Sequence, residues 1–192
     1  MTLLESLYAQ GVRALREPRA AAADVLALGI PREALVPGLF AVVAISVILN
    51  TISEMLAPSP FVVITPFQMM VLLTVMMTAF SFAVAKTGQY MGGLGTFQDS
   101  LLLMIFLQAM FLPAVALQIV LFVIFPALAG LFILVVMVFL TWVHVNFIAA
   151  LHGFPTLGKA FGVLLMAVVL TFFVLMFVAP FLVTQTGALS DV

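Results

Sequence analysis

Five long apolar runs, separated by short segments that contain proline or glycine, constrain this sequence more than any other feature. Each run is close to the roughly 20 residues that an α-helix needs to cross a lipid bilayer. The 192-residue chain is 66% hydrophobic and 7% charged, whereas the apolar share of a water-soluble domain is about half. The sequence therefore predicts an all-α, polytopic membrane protein with five transmembrane helices, at about residues 35–57, 67–86, 100–125, 130–151 and 160–183.

Prolines mark several of the predicted boundaries. Span one ends at the turn of residues 58–60, because its two prolines stop helix propagation. The boundary between spans three and four is harder to place, since only Pro126 and Gly130 interrupt the apolar sequence. Pro113 lies well inside span three and predicts a kink there, because proline leaves an earlier carbonyl without its helical partner.

Residues 1–34 form a different kind of segment, in which charged and apolar residues are mixed. It lacks the continuous hydrophobic region of a secretory signal, so we expect the chain to keep it. Pro18 is expected to interrupt its helix. The segment is predicted to be cytoplasmic and amphipathic, and either to lie in the membrane interface or to pack on the cytoplasmic ends of the spans. Arg13 and Arg16 flank its apolar stripe, which consists of Leu4, Leu7, Tyr8, Val12 and Leu15.

The positive charges predict the orientation. All six Lys and Arg residues lie in the amino-terminal segment, at the end of span two or after span four. Under the positive-inside rule the amino terminus is cytoplasmic, and the carboxyl-terminal tail, residues 185–192, is external. The chain has no Cys, which excludes disulfides and thiolate metal sites, and it has no basic run of the kind that binds nucleic acid.

The two loops on the predicted cytoplasmic side resemble each other. Segments 93–101 and 153–161 share Gly, Thr, a small residue and apolar positions in register, and each leads into a new span. Thr96 and Thr156 are predicted N-caps, and Asp99 suits the positive end of its helix. The match fits either two similar helix starts or a parallel repeat that relates spans two and three to spans four and five.

Polar residues inside apolar spans are costly and are therefore candidate functional residues. Span one carries Ser46, Asn50, Ser53 and Glu54 on one helical face, which is predicted to face other helices. Glu54 lies about 24 Å along the span from Gly38, which predicts a position near the outer headgroups rather than at mid-membrane. An interfacial or packing role is therefore expected, and the alternative is an ion or proton site. A weaker stripe on span two, for which interhelical hydrogen bonds are expected, consists of Thr74, Thr78 and Ser81.

Spans three and four hold the other candidates. Trp142, His144 and Asn146 form the densest polar cluster, but they do not converge on one helical face. A single His without a partner carboxylate or second ligand is more often a packing residue than a proton acceptor. Gln108 is expected to bond backbone freed near Pro113 or to join helices. The sequence contains no catalytic motif, and we predict neither a cofactor nor a metal, since Met is also a flexible apolar filler.

Several short motifs accompany the five-span pattern. They are the segment Arg16-Glu17-Pro18-Arg19, the start of a helix at residues 93–100 followed by Gln108 and Pro113, and Trp142 followed by His152-Gly153 and Ala160. Together they resemble the Yip1 domain family, which implies an amphipathic amino-terminal segment, five closely spaced spans and no catalytic residues. The resemblance implies that eukaryotic members act in vesicle trafficking and membrane shaping and bind small prenylated GTPases and one another through a longer cytosolic region.

The short amino-terminal region of this chain suggests a bacterial relative, multi-pass in the inner membrane, for which GTPase docking is not expected. The first predicted function is therefore non-enzymatic membrane organisation or protein association. Its expected partners are membrane lipid, other membrane proteins or copies of the chain itself. The second is a small transporter or channel, in which polar faces of spans one, two and four line a path. An intramembrane enzyme is disfavoured, because no nucleophile and base pair convincingly at matching depth.

Overall fold

Seven α-helices make up most of the chain that the computed structural model describes, residues 3–56 and 64–187. Five of them are long and apolar enough to cross a membrane, and no strand occurs within the described ranges. The prediction of an all-α protein with five transmembrane helices is confirmed. The helices are α1 (Leu3–Ala14), α2 (Pro18–Ala27), α3 (Leu35–Leu56), α4 (Pro66–Tyr90), α5 (Phe97–Ile124), α6 (Pro126–His152) and α7 (Leu157–Gly187), with a 3-10 turn at Arg32–Ala34.

The loop between spans two and three is shifted relative to the prediction. α4 continues to Tyr90 rather than ending at residue 86, and α5 begins at Phe97 rather than at 100. Thr96 caps α5 as predicted, because its hydroxyl accepts a hydrogen bond from the backbone N–H of Asp99 at 3.2 Å. The end of span one at residue 57 and the turn of residues 58–60 lie outside the described residues.

The later boundaries also shift by a few residues. α6 begins at Pro126 rather than at 130, since a proline in the first helical turn loses no hydrogen bond there. Only Phe125 connects α5 to α6. α7 begins at Leu157 rather than at 160 and extends to Gly187, past the predicted end at 183. The predicted tail, from residue 188 on, lies beyond the part of the chain that the structure describes.

At one end of the bundle, α3, α5 and α7 begin and α4 and α6 end. We call this end the charged end. α4 ends in a Schellman motif, in which Gly92 has a φ of 86° and the N–H of Gly93 bonds the carbonyl of Gly88 at 2.8 Å. α6 ends in the same way, with a φ of 67° at Gly153. The pairs α4–α5 and α6–α7 each pack side by side. The parallel repeat and the capping of α7 by Thr156 stay predictions.

The long helices pack through two clusters of buried side chains. The larger cluster joins α4, α5, α6 and α7 to α1 and α2, and it includes Phe106, Phe147 and Val163. The smaller cluster joins α3 to α4 and α5 around Val43 and Met77. Many other large apolar side chains are exposed on the outer faces of the helices. This surface would face lipid in a membrane, where every span must satisfy its own backbone.

The amino-terminal segment folds as a hairpin of α1 and α2. Pro18 begins α2, so it separates the two helices as predicted. α2 packs against α6 and α5 and buries Ala21, Ala22 and Val25. The position of the apolar stripe of residues 4–15 in the membrane interface stays a prediction. α5 runs through Pro113 as one helix, and the predicted kink stays a prediction.

Candidate functional site

His152, the last residue of α6, lies at the centre of the charged end. Its side chain is only 2% exposed. The backbone N–H of Gly95 donates to Nδ1 at 3.1 Å, and Nε2 donates to the carbonyl of Val84 at 3.2 Å. An amide N–H only donates and a carbonyl only accepts, so these partners define a neutral ring with its proton on Nε2. The ring thus joins α6 to α4 and to the loop of residues 91–96.

Three glycines leave the space that this ring occupies. A Cβ on Gly88 would lie 2.0 Å from Nε2 of His152, and a Cβ on Gly93 would lie 2.5 Å from the Cβ of His152. A Cβ on Gly95 would lie 2.6 Å from Cγ of Leu151. These separations are far shorter than van der Waals contact, so a side chain at any of these positions would displace the packed residues.

Phe154 extends the cluster toward the amino-terminal hairpin. Its ring stacks on that of His152, with centroids 5.3 Å apart, and Nζ of Lys159 lies 5.9 Å from the centroid of Phe154. The guanidinium of Arg19, on α2, donates to the carbonyl oxygen of Phe154. A hydrogen bond from a charged donor is stronger than one from a neutral donor. The contact therefore fixes α2 to the end of α6.

An ion-pair network closes the hairpin of α1 and α2. Arg13 pairs with Glu17 at 3.1 Å and with Asp24, and all three side chains are partly exposed. Ala14 and Ala21 are fully buried behind this network. An apolar stripe stays exposed along the outer face of α1 and the turn that follows it, and it consists of Tyr8, Val12 and Leu15.

Ser46 and Gln108 link α3 to α5 inside the bundle. Nε2 of Gln108 donates to Oγ of Ser46 at 2.9 Å, and this hydroxyl donates to the carbonyl of Val42 at 2.7 Å. Ser46 is buried. Of the two roles predicted for Gln108, the structure shows the joining of helices, and the amide does not bond backbone next to Pro113.

The rest of the predicted polar face of span one is more exposed than Ser46. Asn50 and Glu54 are exposed, and Nδ2 of Asn50 donates to the carbonyl of Ser46 in its own helix at 2.8 Å. The prediction that this face turns toward other helices holds for Ser46, is wrong for Asn50 and stays a prediction for Glu54. The reason is that α3 buries side chains only between Leu35 and Val47.

The three polar candidates of span four have different surroundings. Nδ2 of Asn146, which is buried, donates to the carbonyl of Trp142 at 2.8 Å. Nδ1 of His144 bonds the carbonyl of Leu140 at 2.8 Å, and its ring meets that of Phe80 edge-on at 6.0 Å. Trp142 is exposed on the outer face of α6. The three side chains do not converge on one site.

The polar faces proposed for a transport path also lie apart. Ser46 lies between α3 and α5, whereas Thr74 and Thr78 line a groove between α4 and α7. His144 lines a separate cavity of about 20 Å³, which has room for about one water molecule. Within residues 3–56 and 64–187 no group of three or more His, Asp or Glu side chains is placed to hold a metal ion.

The sequence pattern predicts no structural role for His152, Gly88 or Gly95. The signals are a His directly before the glycine that ends a helix and four glycines within residues 88–95. Helical periodicity relates only residues within one helix, whereas His152 and Gly95 are 57 residues apart. Their pairing therefore becomes visible only once α4 and α6 are packed.

A five-span helical bundle with a docked amino-terminal hairpin defines a multi-pass membrane protein. A family model for the Yip1 domain matches residues 12–178, which is most of the chain. The chain belongs to the Yip1 domain family, so the resemblance found in the sequence is confirmed. The match begins in α1 and ends in α7, and it therefore includes the His152 cluster. No curated protein and no solved structure matched the chain.

Proposed function

We propose that this Yip1-family protein acts without catalysis, through protein association that organises the membrane around it. The observation that carries the proposal is the outer face of α1 and of the turn after it, where three apolar side chains stay exposed on a hairpin that is itself docked to the bundle. They are Tyr8, which is 76% exposed, Val12 and Leu15.

The spacing of this stripe suits a protein partner. The three residues recur at i, i+4 and i+7, with the third just past the last residue of α1. This is the spacing with which an amphipathic helix places anchors in an apolar groove. The opposite side of the hairpin is already occupied, since α2 packs on α5 and α6. The outer face of α1 is therefore the side that a second copy or another membrane protein would contact.

Polar groups inside the bundle support a structural role. Gln108 and Ser46 bond each other, Asn146 bonds its own helix, and both ring nitrogens of His152 bond backbone. The bonds of Gln108 and His152 reach another helix or loop, and such bonds hold helices in place. They do not form the adjacent nucleophile and base that a reaction would need.

Photo-crosslinking tests the association. A photoreactive phenylalanine analogue at Tyr8 or Val12, in the full chain in its native membrane, should give a discrete crosslinked protein band. The same analogue at Leu131, an apolar residue 62% exposed on α6, should not. The proposal would be contradicted if all three positions gave nothing but monomeric protein. It would also be contradicted if the two α1 positions crosslinked to lipid alone.

The orientation belongs to the same proposal. The positive-inside rule places the charged end on the cytoplasmic side of a bacterial inner membrane, with the carboxyl terminus outside. The chain has no Cys, so single cysteines can be labelled without background. In intact cells an impermeant maleimide should label Met55→Cys, at the far end of α3, but not Leu94→Cys, in the loop at the charged end. The reverse pattern would overturn the orientation.

A further inference from the structure

An apolar groove of about 720 Å³ runs between α4 and α7 and opens on the outside of the bundle. Its wall on α4 carries Thr74, whose hydroxyl already donates to the carbonyl of Met70 at 2.8 Å. Apart from Thr78 and from Lys86 at its mouth, the rest of the lining is apolar, so the groove presents a mainly apolar surface. Its lining on α7 consists of Leu170, Phe173, Val174 and Phe177.

The length of the groove corresponds to one leaflet of a bilayer. Thr74 and Lys86 line its two ends along α4, twelve residues apart, which is about 18 Å at 1.5 Å per residue. The hydrocarbon core of a bilayer is about 30 Å thick, so one leaflet contributes about 15 Å. An acyl chain that enters at Lys86 would reach the middle of the membrane near Thr74.

The mouth of the groove is cationic. Lys86 is exposed, and its Nζ lies 5.8 Å from the centroid of the Phe82 ring, which also lines the groove. Both ion pairs found among the described residues involve Arg13, so no described carboxylate pairs with Lys86. Lys159, another cation of the charged end, does not line this groove.

We propose that the groove binds one anionic phospholipid from the leaflet at the charged end. The phosphate contacts Lys86, and one acyl chain lies along Phe173 and Phe177. The charge of the mouth favours a lipid over a second copy of the chain, because basic positions between spans attract anionic headgroups. The site is on a different surface from the stripe of α1, and it does not depend on the proposed function.

Quenching of tryptophan fluorescence by brominated lipids tests the site directly. The chain has one tryptophan, Trp142, on the outer face of α6. A Phe173→Trp reporter, made in a Trp142→Phe background, places the only indole in the groove. The full chain is reconstituted in phosphatidylcholine vesicles in which either phosphatidylglycerol or phosphatidylcholine carries the bromine.

At the Phe173→Trp reporter, phosphatidylglycerol should bind about fivefold more tightly than phosphatidylcholine. Lys86→Gln should bring this ratio close to one, and Lys86→Arg should preserve it. Lys159→Gln should leave the ratio unchanged. In a second set of variants, which keep Phe173 and Trp142, the Trp142 reporter should show a ratio near one throughout. Circular dichroism identifies any variant that does not fold. If Lys86→Gln is such a variant, the ratio measured for Lys86→Arg still tests whether a positive charge at this position is enough for selectivity.

Two results would overturn the proposal. Equal affinity for the two lipids at the Phe173→Trp reporter would show that the groove does not select an anionic headgroup. If neither brominated lipid quenches this reporter while both quench Trp142, the groove is covered by protein, as it would be in a complex of two copies.

Discussion

The imidazole of His152 fills the space next to Gly88, since a Cβ on Gly88 would lie 2.0 Å from Nε2 of the ring. The ring cannot move aside without cost, because Nδ1 bonds Gly95 and Nε2 bonds Val84. The last turns of α4, the loop after it and the end of α6 thus pack around one side chain. The first two predictions test this packing.

Gly88→Ala should lower the free energy of unfolding by about 1–3 kcal/mol, the usual cost of overpacking a filled site. The measurement is thermal or denaturant unfolding in detergent micelles. Gly130→Ala is the matched control, because Gly130 is also within a helix and nothing lies within 4 Å of its missing Cβ. The control should be neutral or stabilising by up to about 1 kcal/mol. Equal stability of the two variants would contradict the described packing.

His152→Phe keeps an aromatic ring but removes both hydrogen bonds. The N–H of Gly95 would then be buried without a partner, which costs about 1–3 kcal/mol. His144→Phe is the control, since the His144 side chain bonds only the carbonyl of Leu140 in its own helix. Unfolding in the same micelles should show a larger loss for His152→Phe. A larger loss for His144→Phe would show that His152 does not join the helices.

The hydrogen bond between Gln108 and Ser46 should have a measurable coupling energy. Ser46→Ala, Gln108→Leu and the double variant form a double-mutant cycle, which isolates the pair from other effects of each change. Interhelical hydrogen bonds in membrane proteins average about 0.6 kcal/mol and reach about 1.7 kcal/mol. We expect a coupling within this range, measured by unfolding in micelles. Strictly additive effects would mean that the bond does not stabilise the contact of α3 with α5.

Arg19→Ala should loosen the amino-terminal hairpin without unfolding the bundle. The guanidinium of Arg19 bonds the carbonyl of Phe154, and a hydrogen bond from a charged group contributes about 1.5–3 kcal/mol. Limited proteolysis within α1 and α2 should become at least about tenfold faster, since 1.4 kcal/mol corresponds to a factor of ten. Arg16→Ala, an exposed cation in the turn between these helices, should leave the rate unchanged. Equal rates for both variants would show that Arg19 does not hold the hairpin.

The sequence by itself determined the class of the protein and the number of its spans. Lipid cannot satisfy backbone hydrogen bonds, so an apolar run of about 20 residues has to form a helix, whatever its neighbours are. Local rules also predicted the cap at Thr96 and the break at Pro18, because both depend only on residues within one helical turn.

Only the tertiary structure decided which polar residues are buried and what they contact. Ser46, Asn50 and Glu54 share one helical face in the sequence, but the buried side chains of α3 all lie between Leu35 and Val47. His152 and the glycines around it are separated by more than fifty residues, and no local pattern pairs them. The physical reason is that the period of a helix defines its faces, whereas the partner of each face depends on how the helices pack.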